Sequence, residues 1–113
     1  MTSPPNQPKR AIAPYAQACA LINANGSIDR AKGIKSVTLG KDAGRFCVEL
    51  EDSRLDVTEL VPVATLTTGG YPGFIYIEPG ISTVCSNQKN TLLVITTDQD
   101  RSGVWKPFFL LVP

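Results

Sequence analysis

From Tyr15 to the C-terminus, short apolar runs alternate with Gly, Asn, Asp and Pro. The clearest pattern lies in Arg45 to Glu51 (RFCVELE). Phe46, Val48 and Leu50 alternate there with Arg45, Cys47, Glu49 and Glu51. That period of two predicts a strand with one buried face. Ile34 to Leu39 (IKSVTL) precedes it across a turn at Gly40 to Gly44. Antiparallel pairing of Leu39 with Phe46 and of Val37 with Val48 places these four on one face. Ser36, Thr38, Cys47 and Glu49 then share the other.

The rest of the chain reads in the same way. Tyr15 to Asn23 (YAQACALIN) holds three alanines, which favour a helix. It is short, however, and runs into Asn25-Gly26, a strong hairpin signal, so a strand is predicted, with Ser27 to Arg30 as its return partner. Leu60 to Thr67 is apolar at both parities and carries Pro62, which implies an edge or a bulge. Gly69 to Gly73 is a loop. In Phe74 to Glu78, Ile75 and Ile77 share one face and Phe74, Tyr76 and Glu78 the other. A polar connection from Gly80 to Asn90 leads to Thr91–Thr97, apolar on both faces. A loop from Asp98 to Lys106 leads to the last strand, Pro107 to Val112.

The predicted fold class is all-β: a small antiparallel β-sandwich or barrel of about seven to eight strands. Residues 15–113 form a single β domain. Met1 to Pro14, with four prolines, is predicted to be a disordered tail. Three strands look apolar on both faces, where a sandwich strand keeps one face polar. Either long loops fold over the outside or the surplus face meets another subunit, so a homo-oligomer is one expected outcome.

Composition narrows the function classes. The 113 residues are 42% hydrophobic and 19% charged, a globular balance. The formal net charge is +1, so no global field draws in nucleic acid or an anionic membrane. No apolar stretch approaches the ~18 residues of a membrane span. No signal peptide is visible, which leaves a cytoplasmic protein or a mature form whose signal has been removed. There is no histidine, which excludes Ser-His-Asp and Cys-His catalysis.

The cysteines are Cys19, Cys47 and Cys85. An odd count permits one bridge and one free thiol; in a reducing compartment all three are small buried hydrophobes. Cys47 lies mid-strand, and Cys85 sits among Ser82, Ser86 and Asn87, which is not a typical core setting. The spacing favours a Cys47–Cys85 bridge with Cys19 free.

The order Asn25-Gly26-Ser27-Ile28, Gly33-Ile34-Lys35-Ser36-Val37-Thr38 and Gly44-Arg45-Phe46-Cys47-Val48 is followed by Pro62-Val63, the loop Cys85 and a closing Phe109-x-Leu111-Val112-Pro113. It resembles an uncharacterised family of small bacterial all-β domains, found in secreted or surface-type proteins and in some phage fibre-like ones. The resemblance covers most of Tyr15 to Pro113. It implies that the two cysteines matching Cys47 and Cys85 are bridged, and that the compartment is oxidising. Cys19 departs from the pattern. The resemblance implies no activity.

Each candidate constellation has a plainer structural explanation. Asp98-Gln-Asp100-Arg-Ser102-Gly103 copies the first half of an EF-hand calcium loop, but Phe109 occupies the twelfth position, so a self-bonded hairpin turn is the expected reading. Glu49, Glu51, Asp52, Asp56 and Glu59 form an acidic run read as solvated surface rather than as a glycosidase pair. The basic stretch Arg30, Lys32, Lys35, Lys41 and Arg45 has no interleaved aromatic residue, so it is not read as a nucleic-acid site. Zinc would need all three cysteines and a carboxylate with no close Cys pair, so neither a metal nor a cofactor is expected. Asn25-Gly26-Ser27 matches a glycosylation sequon, although a hairpin turn accounts for it equally. Trp105 and Tyr71 lie in loops, where an aromatic ring either tucks into the core rim or offers a stacking platform.

The expectation is a non-enzymatic, secreted or surface-exposed module that binds a protein or glycan partner through its loops. Trp105, Tyr71, Asp98, Asp100 and Arg101 are the expected contact residues. The alternative is a structural, oligomerising domain of a fibre or appendage.

Overall fold

The structure is a computed structural model and describes residues 9–113. Among these residues there are nine strands: β1 Lys9–Arg10, β2 Ala18–Ile22, β3 Ile28–Lys32, β4 Ile34–Leu39, β5 Arg45–Leu50, β6 Val63–Leu66, β7 Phe74–Ile77, β8 Thr91–Thr97 and β9 Phe108–Val112. They form a five-stranded sheet, β1-β3-β2-β9-β6, and a four-stranded sheet, β4-β5-β8-β7. All neighbours are antiparallel except β1 and β3. The sheets pack face to face as an all-β sandwich.

The alternating positions build the core. Phe46, Val48 and Leu50 from β5 and Leu92 and Val94 from β8 face Ala18, Ala20 and Ile22 from β2 and Phe108, Leu110 and Val112 from β9. Phe46 sits at the aromatic centre, edge to face with Phe108 at 4.9 Å and Trp105 at 5.2 Å between ring centroids. The β4–β5 register is the expected one, Leu39 opposite Phe46 and Val37 opposite Val48, with Ser36–Glu49 and Thr38–Cys47 on the outer face.

The alanine-rich segment is the strand β2. It lies between β3 and β9, and both of its edges are paired, so the ladder decides against helix propensity. The turn after it is closed by the Asn25 side chain, whose Oδ1 accepts from the Ser27 backbone N–H at 3.0 Å and the Ser27 hydroxyl at 2.6 Å. The chain then crosses between sheets at Gly33. Its φ is +71°, and a Cβ there would run into the Gln17 carbonyl, so glycine is required. Pro62 immediately precedes β6, an edge strand bonded only to β9.

Residues 1–8 of the predicted disordered tail lie outside the described residues. The remainder of that tail is attached: Lys9 and Arg10 pair with Arg30 and Ala31, and Ala11 N–H donates to the Ala31 carbonyl at 3.2 Å. The Lys32 ammonium then donates to the carbonyls of Ala13 (2.8 Å) and Pro14 (3.2 Å). The open edge of β3 and the charge of Lys32 supply partners that a Pro-rich composition does not reveal. No helix among the described residues is long and apolar enough to cross a membrane.

The surplus apolar faces have two different fates. In β8 all seven residues are buried. The connection between β7 and β8 folds over the outer face of that strand, where Cys85 is bonded to Cys47 and packs with Leu93 and Ile95. The outer face of β9 has no such cover: Phe109 is 45% and Leu111 38% exposed, beside Val63 of β6 at 54%. Cys19, the free thiol, is buried on that side of β2, opposite Leu111.

Candidate functional site

The loops that carry most of the expected contact residues lie at one end of the sandwich. They are the β6–β7 connection (67–73) and the β8–β9 connection (98–107). The two touch at Gly73, where a Cβ would lie 2.9 Å from the Lys106 side chain and would meet the Thr97 carbonyl.

Asp98 shapes its own loop. Its Oδ1 accepts from the backbone N–H groups of Asp100 (2.9 Å) and Ser102 (3.0 Å), while Arg101 N–H donates to the Asp98 carbonyl at 3.1 Å. This is a self-bonded turn of the kind short acidic side chains make. The carboxylate is engaged with the backbone, and Asp100 stands exposed at the tip. Among the described residues no group of three or more Cys, Asp or Glu is placed to hold a metal.

Trp105 is half-buried, its ring edge-on to Phe46. The backbone on either side is clamped by Thr96, whose Oγ1 donates to the Val104 carbonyl at 2.6 Å and accepts from Lys106 N–H at 3.2 Å. Trp105 therefore packs at the rim of the core and holds the loop in place.

Tyr71 is 83% exposed in its loop. Arg101, held at φ +67°, lays its guanidinium 5.7 Å from the centroid of the Phe74 ring. Such a contact is worth about 0.5–1 kcal/mol at an exposed site. No carboxylate pairs with Arg101 among the described residues. Phe74 and Tyr76 alternate outward on β7 and are each about half exposed (48% and 50%). The structure thus brings together Arg101, Phe74 and Tyr76, with Tyr71 in the adjoining loop. Trp105 and Asp98 support that arrangement from behind.

Phe74 and Tyr76 were not among the expected contact residues. The period of two separates them from Ile75 and Ile77, and Glu78 on their side marks it as the wet one. That signal identifies an outward aromatic pair on an edge strand.

The acidic run is dispersed. Glu49 lies on the outer face of β5, accepting from the Ser36 hydroxyl at 3.2 Å and pairing with Lys35 at 3.5 Å. Arg54 donates two hydrogen bonds to the Asp52 carboxylate and lowers its pKa from 3.8 to about 2. Thr58 holds Asp56 below the usual carboxylate range through side-chain and backbone hydrogen bonds. Both displacements run opposite to what a general acid at neutral pH requires.

No family model, curated protein or solved structure matches this chain.

Proposed function

We propose that this protein is a non-enzymatic binding module, secreted or surface-exposed, that takes a protein or glycan partner at the loop end of the sandwich. The observation that carries the proposal is the exposed aromatic and cationic cluster: Phe74 and Tyr76 on a sheet edge and Arg101 over the Phe74 ring, with Tyr71 exposed in the adjoining loop. Rigid aromatic rings and arginine supply most of the energy in recognition surfaces at little cost in side-chain order. The Cys47–Cys85 bridge supports an oxidising compartment, since such bridges persist outside the cytosol. The test pans the whole protein against a glycan array and a displayed peptide library, then repeats each positive with Phe74→Ala/Arg101→Ala. Loss of binding by a folded variant is expected. Binders indifferent to the substitution, or none at all, would refute the assignment.

The second reading, a structural domain that assembles with copies of itself, is favoured by the uncovered apolar strip formed by Phe109, Leu111 and Val63. Sedimentation equilibrium at high concentration decides it. A concentration-dependent dimer that Phe109→Ser dissolves supports assembly, and a strict monomer rules it out.

A further inference from the structure

We propose a second binding site, independent of the loop end: a polar groove on the flank of the four-stranded sheet that takes a single neutral sugar ring. The groove has a volume of about 230 Å³ and lies on the outer face of β4 and β5, under the segment that carries Cys85. One wall is the edge strand β4, with Ser36. The floor is Glu49 and Thr91, paired across β5 and β8. The far wall is Ser86 and Gln88, and Lys41 stands at one end.

One observation points to an occupant. Thr91 is only 4% exposed, and its Oγ1 is screened from solvent without a hydrogen-bond partner. A buried hydroxyl left unpaired costs about 1–3 kcal/mol, and native proteins rarely retain one without a reason. Thr91 is one of the residues that line the groove. The far wall has a fixed shape: Ser86 (φ +61°) and Asn87 (φ +56°) cap the short turn Thr83–Cys85, with Ser86 N–H donating to the Thr83 carbonyl at 3.2 Å and Asn87 N–H to the Ser82 carbonyl at 3.0 Å. The Cys47–Cys85 bridge ties that wall to the floor.

The lining selects the ligand class. Glu49 and Lys41 are the charged groups of the lining, and Lys35 at 3.5 Å already answers the Glu49 carboxylate. A single carboxylate, itself paired with Lys35, is too few for calcium. Hydroxyls, an amide, a carboxylate and an ammonium offer donors and acceptors in turn, matching a ligand that carries several hydroxyl groups. The volume is below the ~300–1,000 Å³ of drug-sized pockets and fits one ring rather than a chain.

The test titrates the isotopically labelled whole protein with glucose, galactose, mannose and N-acetylglucosamine at millimolar concentrations, following backbone amide shifts. A saturable shift at Glu49, Gln88 and Thr91 with at least one sugar is expected. Glu49→Gln and Thr91→Val should each weaken that binding at least tenfold, while Phe74→Ala/Arg101→Ala leaves it unchanged. Thr91→Val, nearly isosteric, should leave the melting temperature unchanged or raise it, because it removes an unpaired hydroxyl. No saturable shift with any of the four sugars would overturn the proposal. So would shifts that survive both groove variants, or a Thr91→Val protein with a lowered melting temperature, which would mean that the hydroxyl has a structural partner.

Discussion

Replacing both bridged cysteines, Cys47→Ala/Cys85→Ala, tests the link between the staple and the sheet it covers. The bridge closes a loop with a sequence separation of 38 residues. Chain entropy assigns such a closure about 3.9 kcal/mol at 25 °C, a factor of several hundred in the folded-to-unfolded ratio. At about 2.1 cal/mol/K of unfolding entropy per residue, that corresponds to a fall in melting temperature of roughly 16 °C for a domain of this size. A second effect is local. Leu93 and Ile95 pack with Cys47 beside them in the sheet and with Cys85 of the overlying segment, so cutting the tie loosens the 78–90 segment before the sandwich itself opens. Urea melts of the oxidised wild type and the double variant give the first quantity. The variant's slope should be steeper, because its unfolded chain is no longer cross-linked. Hydrogen exchange of amides 82–88 gives the second and should speed up while those of β2 and β9 remain protected. A loss under 1 kcal/mol together with unchanged exchange at 82–88 would show that the segment is held by its own contacts, and the account of β8 would fail.

Three further outcomes are expected. Phe46→Ala should cost about 3–5 kcal/mol and shift Trp105 fluorescence, since its ring is the edge partner of both Trp105 and Phe108; denaturant melts and emission spectra check this. Gly44→Ala should cost about 1–3 kcal/mol in a thermal melt, because φ is +82° there and a Cβ would strike the Thr96 carbonyl. Asp52, whose pKa is lowered to about 2 from 3.8, contributes stability that is present above pH 3.8 and lost as pH falls through about 2. A carboxyl-carbon titration should place its midpoint near the lower value, and Arg54→Ala should return it toward the ordinary one. Because Arg54 stands in solvent, where salt and water screen the pair, the change in melting temperature should be small.

Local periodicity carried much of the fold and little of the site. The β4–β5 register follows from the alternation of Phe46, Val48 and Leu50, because a slip by one residue would turn that set outward. The Asn25-Gly26 turn and the edge position of the Pro62 strand follow from backbone chemistry that is local as well. The doubly apolar β8 and β9 look alike in sequence, yet one is covered by a stapled loop and the other is bare. The covering segment is polar by composition, and nothing within β8 records that it folds back. The attachment of residues 9–14 is hidden for the same reason, since it depends on the open edge of β3 and on Lys32. Trp105 illustrates the limit at the site: its ring partner is Phe46, far away in sequence, so loop composition alone does not reveal its packing at the core rim. The unpaired hydroxyl of Thr91 exists only once β5, β8 and the 82–88 segment have come together.

The two outer faces of the sandwich divide the surface into regions that need not compete. On the four-stranded sheet, a covalent tie holds an irregular segment against β5 and β8, which gives the flank groove a fixed wall. The aromatic edge of β7 belongs to the same sheet, beyond the far side of β8. On the five-stranded sheet, residues 10–13 line a cavity of about 420 Å³ together with Cys19, Leu21, Phe109 and Leu111, and Phe109, Leu111 and Val63 remain partly in solvent. A copy of the chain docked on that strip would bury the apolar surplus and leave the groove and Arg101 facing outward on the opposite sheet. The proposed assembly and the proposed ligand capture are therefore separable by mutation. Phe109→Ser should alter the first without touching the second, and Phe74→Ala/Arg101→Ala the reverse.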